Sequence, residues 1–185
     1  HQARFPAAFE DALQTWEALL AKGYRPRDIV LGGDSAGGGL MLALLAHLTQ
    51  QGTCPGACFA MSPWTDMTLQ GDSLQSDEEV LRPVTRRPEM VPAYLDGAAP
   101  DDPRASPLFA RFDRLPPVLI QVARGEALYD DARRMAAALG EAAQLRVWDG
   151  VPHVWQIFDG YVPQARAALQ EIADFLHTSL AMDSR

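Results

Sequence analysis

Cysteine is scarce in this chain, which has only Cys54 and Cys58 among its 185 residues. Two thiols this close in sequence cannot form the disulfide framework of a small secreted protein, and C-x-x-x-C without further ligands is a poor metal site. We therefore expect reduced thiols, one near a loop and one inside a strand, in a cytoplasmic protein that binds no metal.

Long apolar runs and an excess of positive charge are also lacking. The longest largely apolar stretch, Gly37–Leu48, contains His47 and is well short of the roughly 20 residues that a membrane-spanning helix needs. The formal net charge of −8 argues against nucleic acid or an anionic membrane surface as a partner. No signal peptide is visible in the sequence. The glycine-rich stretch is not followed by Gly-Lys-Ser/Thr, which a phosphate-binding P-loop would have.

The composition that remains is that of a globular domain, with 48% hydrophobic and 22% charged residues, and the length suits one domain over residues 1–185. Helices alternate with strands, which indicates an α/β domain with a parallel sheet of four strands. Apolar patterning predicts helices over 6–22, 36–50, 89–95, 130–139 and 163–180, and strands over 28–32, 58–62, 118–122 and 145–148.

Residues 63–116 interrupt this alternation, because they are rich in proline and charge and show little periodicity beyond the helix near Glu89–Leu95. A stretch this long between two strands usually has a function. A surface excursion without a role is the alternative.

The centre of the pattern is Gly33-Asp34-Ser35-Ala36-Gly37, which lies between the apolar run Ile29–Leu31 and a long Ala- and Leu-rich helix. A strand, Gly-x-Ser-x-Gly and a helix place the serine on a tight turn in a strained backbone conformation, with its hydroxyl exposed at the carboxyl end of the sheet. We expect the two glycines to prevent collisions of this turn with the strand and the helix. The pattern predicts that Ser35 is a nucleophile; an ordinary glycine-rich turn with a capping serine is the alternative.

The sequence Gly-Asp-Ser-Ala-Gly-Gly resembles the nucleophile elbow of the hormone-sensitive-lipase-like esterases, a branch of the α/β-hydrolases. Further segments are similar to that family and occur in its order: FPAAFEDAL, SPWTDMTL, DPRASPLF, EALYDDARRMA and VPHVWQIF. The resemblance covers residues 5 to about 160 and implies an α/β-hydrolase fold with part of 63–116 as a cap over the acyl pocket. It also places Asp66, Asp102 and Ser106 at family positions, where we expect them to fasten this segment by hydrogen bonds.

A nucleophilic serine needs a base, and a third group that orients the base. Of the four histidines, His1 is terminal, His47 lies about 18 Å along the helix from Ser35, and His177 lies in the last helix. His153 follows the fourth strand in a loop at the carboxyl end of the sheet, where the serine turn also emerges. We therefore predict that His153 is the base; a loop histidine bound only to backbone is the alternative.

Three carboxylates follow the third strand at the same edge: Glu126, Asp130 and Asp131. Glu126 lies in the loop itself, whereas the two aspartates begin a helix, where the helix dipole favours acidic residues without any further purpose. In the family that the chain resembles, the acid is followed by one residue, then Leu, then an acidic pair a little further on, which Glu126-Ala127-Leu128-Tyr129-Asp130-Asp131 matches with Glu as the acid. We therefore favour Glu126 as the orienting acid and keep Asp130 as the alternative.

The backbone amide of Ala36 is expected to be one donor of an oxyanion hole, the group of N–H donors that binds the negatively charged oxygen of the intermediate. The family carries its other donors on a His-Gly-Gly-Gly loop, and no such loop occurs among the 34 residues that precede Ser35. We expect that a segment upstream is missing, which would leave the strand at 28–32 as an open edge. That edge predicts a homo-oligomer or association with the missing segment.

The resemblance implies hydrolysis of short- to medium-chain carboxylic esters, with a small-molecule ester as partner and no cofactor; the residues alone predict only acyl transfer. The alternatives are a catalytically impaired fragment, a non-catalytic binding module, and a peptidase or amidase on the same scaffold.

Overall fold

A parallel four-stranded sheet forms the centre of the computed structural model, which describes residues 3–75 and 89–182. The strands are β1 (Val30–Asp34), β2 (Ala57–Met61), β3 (Val118–Ala123) and β4 (Ala143–Trp148), and they lie side by side in that order. All three neighbouring pairs are parallel. The predicted α/β fold with four parallel strands is confirmed.

The helices cover both faces of this sheet, as crossover connections between parallel strands require. Leu42 and Leu45 of one helix and Met135 of another pack on one face of the sheet, whereas Phe175 of the last helix packs on the opposite face. The helices are α1 (Ala7–Ala21), α2 (Ser35–Gln50), α3 (Met90–Leu95), α4 (Tyr129–Leu139) and α5 (Pro163–Met182).

The middle of the sheet is deeply buried. All six residues of β3 are buried, and α2 is buried along most of its length because β1, β2, α1 and part of the long connection surround it. Burial at about 25 cal/mol per Å² of apolar surface is the main stabilising contribution of such a core. A rigid sheet and helix therefore support the turn between β1 and α2.

Strand β1 differs from the buried strand that its apolar run predicts. It begins two residues later than predicted, because Pro26–Asp28 form a 3-10 turn. It is also an edge strand of the described sheet, so that Leu31 is only partly buried and Gly32 is exposed. Its pairing with β2 runs from Val30 opposite Ala57 to Asp34 opposite Met61.

The connection between β2 and β3 packs through a cluster of its own. Trp64, Met67, Val91 and Leu95 are buried against Leu128, which lies just before α4. The predicted helix near Glu89–Leu95 is present as α3, and residues 76–88 of the predicted cap lie outside the described residues.

Asp66, Asp102 and Ser106 fasten this connection by hydrogen bonds, as expected. The Ser106 hydroxyl accepts a hydrogen bond from the Met67 amide at 2.7 Å and donates one to the Pro100 carbonyl at 2.6 Å. Asp66 pairs with Arg134 of α4 at 2.7 Å, and Asp102 pairs with Arg104 at 2.8 Å.

Within the described ranges, none of the helices has the length and apolar character needed to cross a bilayer. Cys58 is buried in β2, and burial raises the pKa of its thiol well above the ordinary value. No disulfide joins Cys54 to Cys58 in the part of the chain that is described.

Candidate active site

Ser35 lies at the junction of β1 and α2 in a left-handed backbone conformation, with φ of 50°. This conformation costs a non-glycine residue about 1–3 kcal/mol and persists only where the surrounding structure enforces it. Here the strand ends at Asp34, the helix begins at Ser35, and the Trp64 amide donates a hydrogen bond to the Ser35 carbonyl at 2.9 Å. The strain predicted for this turn is present.

The glycines of the turn do not all have the role that the sequence predicts. A Cβ at Gly33 would lie 2.4 Å from the Gly37 carbonyl oxygen, so Gly33 does relieve a collision. A Cβ at Gly37 would meet nothing within 4 Å, so the prediction for Gly37 is wrong: the residue faces an open groove rather than the strand. The further close approach is at Gly39, where a Cβ would lie 2.0 Å from the Trp64 carbonyl oxygen.

His153 lies in the loop after β4, and its side chain is 16% exposed. Its Nε2 atom is 3.0 Å from the Ser35 hydroxyl oxygen. Two other histidines are elsewhere: His47 packs edge-on against Phe9, and the Nδ1 of His177 contacts the Ala173 carbonyl on the surface of α5. His1 lies outside the described residues.

Glu126 lies on the other side of the imidazole and is fully buried. Its Oε1 atom is 3.1 Å from His153 Nδ1, and its Oε2 atom accepts hydrogen bonds from the Ser62 hydroxyl at 2.7 Å and the Ala123 amide at 3.0 Å. Asp130 is engaged differently, because it accepts a hydrogen bond from the Ser73 amide and pairs with Arg133. The structure thus brings Ser35, His153 and Glu126 together and keeps Asp130 apart.

Ser62 is a site residue that the sequence reasoning missed, because it was assigned to the end of β2. It follows β2 in a left-handed conformation, with φ of 49°, and it is completely buried. Its hydroxyl oxygen also accepts a hydrogen bond from the Val154 amide at 3.2 Å. The available signal was its position: a serine at the carboxyl end of a central strand faces the edge where the other site residues emerge.

The loop that carries His153 is anchored a second time through Gln156. The Gln156 side-chain amide donates to Gln121 Oε1 at 2.9 Å, and the Gln121 amide nitrogen donates to the Ala168 carbonyl and to Glu171 of α5. Gln121 is a fully buried residue of β3. This polar contact fixes the downstream half of the loop to the sheet and to α5.

Asp131, the third acidic candidate, points into the connection between β2 and β3 instead of the imidazole. Its Oδ2 atom accepts hydrogen bonds from the amides of Thr65 and Asp66 at 2.7 and 2.9 Å, whereas Oδ1 has no partner among the described residues. Burial, aided by the nearby Asp66 carboxylate, raises the pKa of Asp131 to about 7 despite the amide donors.

An apolar cavity of about 300 Å³ lies next to the serine turn. Ala36, the predicted oxyanion donor, is the second residue of α2 and lines this cavity. Further residues that line the cavity are Gly37, Leu40, Trp64, Met67, Tyr94 and Ala105.

The described residues include no group of three or more histidine, cysteine or acidic side chains that could hold a metal ion.

Comparison with known families gives a match over most of the chain. The family described as alpha/beta hydrolase fold matches residues 2–157. An esterase of Acinetobacter venetianus is 37% identical over 97% of this chain and 61% of its own length. An acetyl-hydrolase of Streptomyces hygroscopicus is 37% identical over 96% of this chain and 62% of its own length.

Solved structures agree with this match. A crystal structure of an esterase from the bacterial hormone-sensitive lipase family superposes with a TM-score of 0.86 at 39% identity, and that of an esterase/lipase from an uncultured bacterium with 0.91 at 36% identity. In both cases the match covers 97% of this chain and 62% of the solved chain. The chain therefore spans less than two thirds of the length of the relatives that it matches.

Proposed function

The chain belongs to the alpha/beta hydrolase fold family, in its hormone-sensitive-lipase-like branch, and from this premise we propose that it carries the catalytic residues of a serine esterase for short- to medium-chain carboxylic esters. The observation that carries the proposal is the continuous hydrogen-bonded series from Ser35 through His153 to Glu126. The names of the relatives, esterase and acetyl-hydrolase, support an ester as the substrate class.

In the proposed reaction, the Ser35 hydroxyl oxygen attacks the ester carbonyl carbon while its proton passes to Nε2 of His153. Glu126 accepts a hydrogen bond from Nδ1–H, which keeps the imidazole in the correct tautomer and stabilises the imidazolium as it forms. The tetrahedral intermediate then collapses, the ester C–O bond breaks, and the leaving alcohol takes the proton from His153. A water molecule attacks the acyl-serine by the same sequence and releases the acid.

We propose that the Ala36 amide binds the oxyanion and that the remaining donors come from outside residues 1–185. A helix N-terminus favours negative charge at Ala36, and loss of a single oxyanion donor typically slows turnover by about 10²- to 10³-fold. The short share of each relative that this chain covers supports a contribution from elsewhere.

The cavity next to the serine turn supports the proposed chain length of the substrate, because its lining is mostly apolar, with the charged Arg104 among its lining residues, and its volume is about 300 Å³. Such a cavity binds a short alkyl chain through apolar contact and offers few partners to a peptide backbone.

We also propose a cytoplasmic location, which the buried, non-disulfide Cys58 supports.

A serine-directed p-nitrophenyl phosphonate tests the proposal. We expect one phosphonyl group per chain, found at Ser35 by peptide mass spectrometry, and no labelling of Ser35→Ala. Parallel assays with p-nitrophenyl butyrate and an anilide of the same acyl group separate an esterase from an amidase. Labelling at another residue, or undiminished labelling of Ser35→Ala, would contradict the assignment of the nucleophile.

A further inference from the structure

We propose that Ser62 is a positioning residue, which holds the Glu126 carboxylate and the His153 loop in their places relative to each other; this inference rests on the proposed function. Ser62 is not among the residues that line the cavity, and its hydroxyl is not hydrogen-bonded to Ser35. Its hydroxyl contacts Glu126 and the residue after His153. It therefore acts on the base from both sides, through the acid and through the loop backbone.

The backbone of Ser62 is itself fixed. Its amide donates to the Gln121 carbonyl at 2.7 Å, so the hydrogen bonds between β2 and β3 include the first residue after β2. Its left-handed φ then turns the chain toward Pro63 and Trp64, away from the sheet. A buried side chain on so constrained a backbone has little freedom to move, so its hydroxyl is a fixed reference point at the carboxyl edge of the sheet.

The hydroxyl has one proton, and the geometry determines where that proton goes. The Val154 amide can only donate, so the Ser62 oxygen accepts from it and directs its own proton to Glu126 Oε2. Glu126 Oε2 then has two donors, Ser62 and the Ala123 amide, and Oε1 is left for His153 Nδ1. Two donors on one oxygen fix the rotation of the carboxylate.

The contact with Val154 adds a second constraint. Val154 has a left-handed φ of 50°, which is costly for a β-branched residue and needs support from its surroundings. The bond from its amide to Ser62 supplies part of that support, directly beside His153. Loss of the hydroxyl would release the carboxylate and the loop together, with one donor left on Oε2.

The experiment compares Ser62→Ala with wild type and with Thr49→Val in the complete protein. Thr49 is a matched control, because its buried hydroxyl likewise donates one hydrogen bond, to the Ala46 carbonyl, and accepts one, from the Asp113 amide, near the far end of α2. Ser62→Gly keeps the positive φ without strain and removes the hydroxyl, so it separates the hydroxyl from the backbone conformation.

We expect kcat for p-nitrophenyl butyrate to fall about 10- to 100-fold in both Ser62→Ala and Ser62→Gly, as expected for loss of a hydrogen bond to a charged group. KM should change less than twofold. Thr49→Val should keep the wild-type kcat, while its unfolding temperature falls by an amount similar to that in Ser62→Ala. A kcat within twofold of wild type in Ser62→Ala, or a full recovery in Ser62→Gly, would overturn the proposal.

A second measurement does not depend on turnover. The proton between His153 Nδ1 and Glu126 should give a proton NMR signal far downfield of the backbone amides, assigned by its absence in His153→Ala. We expect this signal to broaden or disappear in Ser62→Ala and to persist in Thr49→Val. An unchanged signal in Ser62→Ala would overturn the role of Ser62 even if ester turnover is present. Absence of turnover in wild type, with the signal intact, would instead contradict the proposed function.

Discussion

At the scale of single residues, the site depends on how buried polar groups divide their hydrogen-bond partners. Glu126 is buried, but it has three donors at bonding distance, so both of its oxygens have hydrogen-bond partners. Asp131, five residues later, has amide donors at one oxygen only and lies beside another carboxylate. Two acidic residues from one short segment therefore have different chemistry.

Replacement of Glu126 by Gln should lower kcat by about 10³- to 10⁴-fold with the fold intact, because the amide cannot both orient Nδ1–H and stabilise the imidazolium. Asp130→Asn is the comparison, and we expect it to change kcat less than tenfold, since Asp130 contacts Ser73 and Arg133 rather than His153. Both variants should be assayed with p-nitrophenyl butyrate in the complete protein. The reverse ranking would assign the acid to Asp130.

The stability of the fold should depend on pH through Asp131. Its pKa is raised to about 7 in the folded state, so between about pH 4 and 7 the folded chain holds a proton that the unfolded chain has released. The contribution of Asp131 to stability is therefore complete below about pH 4 and is lost as the pH rises to about 7.

Asp131→Asn should remove this part of the pH dependence, because an amide oxygen can accept the hydrogen bonds from Thr65 and Asp66 without titrating. Urea unfolding at pH 5 and pH 8 measures the effect. We expect wild type to lose on the order of 2 kcal/mol more than the variant between the two pH values. Equal losses in the two proteins would show that the Asp131 carboxyl does not titrate in this range.

At the scale of elements, the junction of β1 and α2 depends on close backbone contacts. The Trp64 backbone lies against the first turns of α2, where its amide bonds to Ser35 and its carbonyl leaves no room for a Cβ on Gly39. The long connection is thus in contact with the serine turn from its first residues onward. Packing of the connection and the conformation of Ser35 are therefore coupled.

Gly39→Ala should destabilise the fold, because the new Cβ would lie 2.0 Å from the Trp64 carbonyl oxygen, a backbone atom that cannot rotate away. Overpacking of this kind typically costs about 1–3 kcal/mol. Gly37→Ala is the matched control, since its Cβ enters open space, and alanine gains up to about 1 kcal/mol over glycine in a helix. Relative to wild type, the free energy of urea unfolding should be lower for Gly39→Ala and higher for Gly37→Ala. Equal destabilisation of the two variants would contradict this account of the turn.

At the scale of the whole molecule, the sheet is unequally covered. Beside β1 an apolar groove runs between α1 and α2, and its lining includes Trp16, Leu31 and Leu40. Unpaired backbone groups on an edge strand and apolar surface next to it favour association with another chain or segment.

Residues 1–185 expressed alone should therefore be a poor esterase and should self-associate through the β1 edge or the groove. The expected physical causes are a missing oxyanion donor and exposed apolar surface. Turnover of p-nitrophenyl butyrate and solution mass by light scattering measure both effects. A monodisperse monomer with the turnover of longer relatives would contradict this prediction and would mean that the chain completes its own oxyanion hole.

The sequence by itself determined the fold class and the candidate site residues, because these depend on local patterns. Apolar periods mark strands and helices within a few residues, and Gly-x-Ser-x-Gly between a strand and a helix predicts the strained Ser35. Parallel strands end at a common edge, so the loops with Glu126 and His153 could be expected to meet there. The boundaries of β1 were less predictable, because a proline turn and the register against β2 determine them.

Only the tertiary structure decided which groups touch. From the sequence, Glu126 and Asp130 are both candidates for the orienting acid. The path of the loop after β3 brings Glu126 to His153 and Asp130 to Ser73. The same holds for Ser62, Gly37 and Gly39, whose surroundings come from segments distant in sequence. The physical reason is that hydrogen bonds and steric contacts act over a few ångströms, and a sequence pattern does not report which distant segments approach that closely.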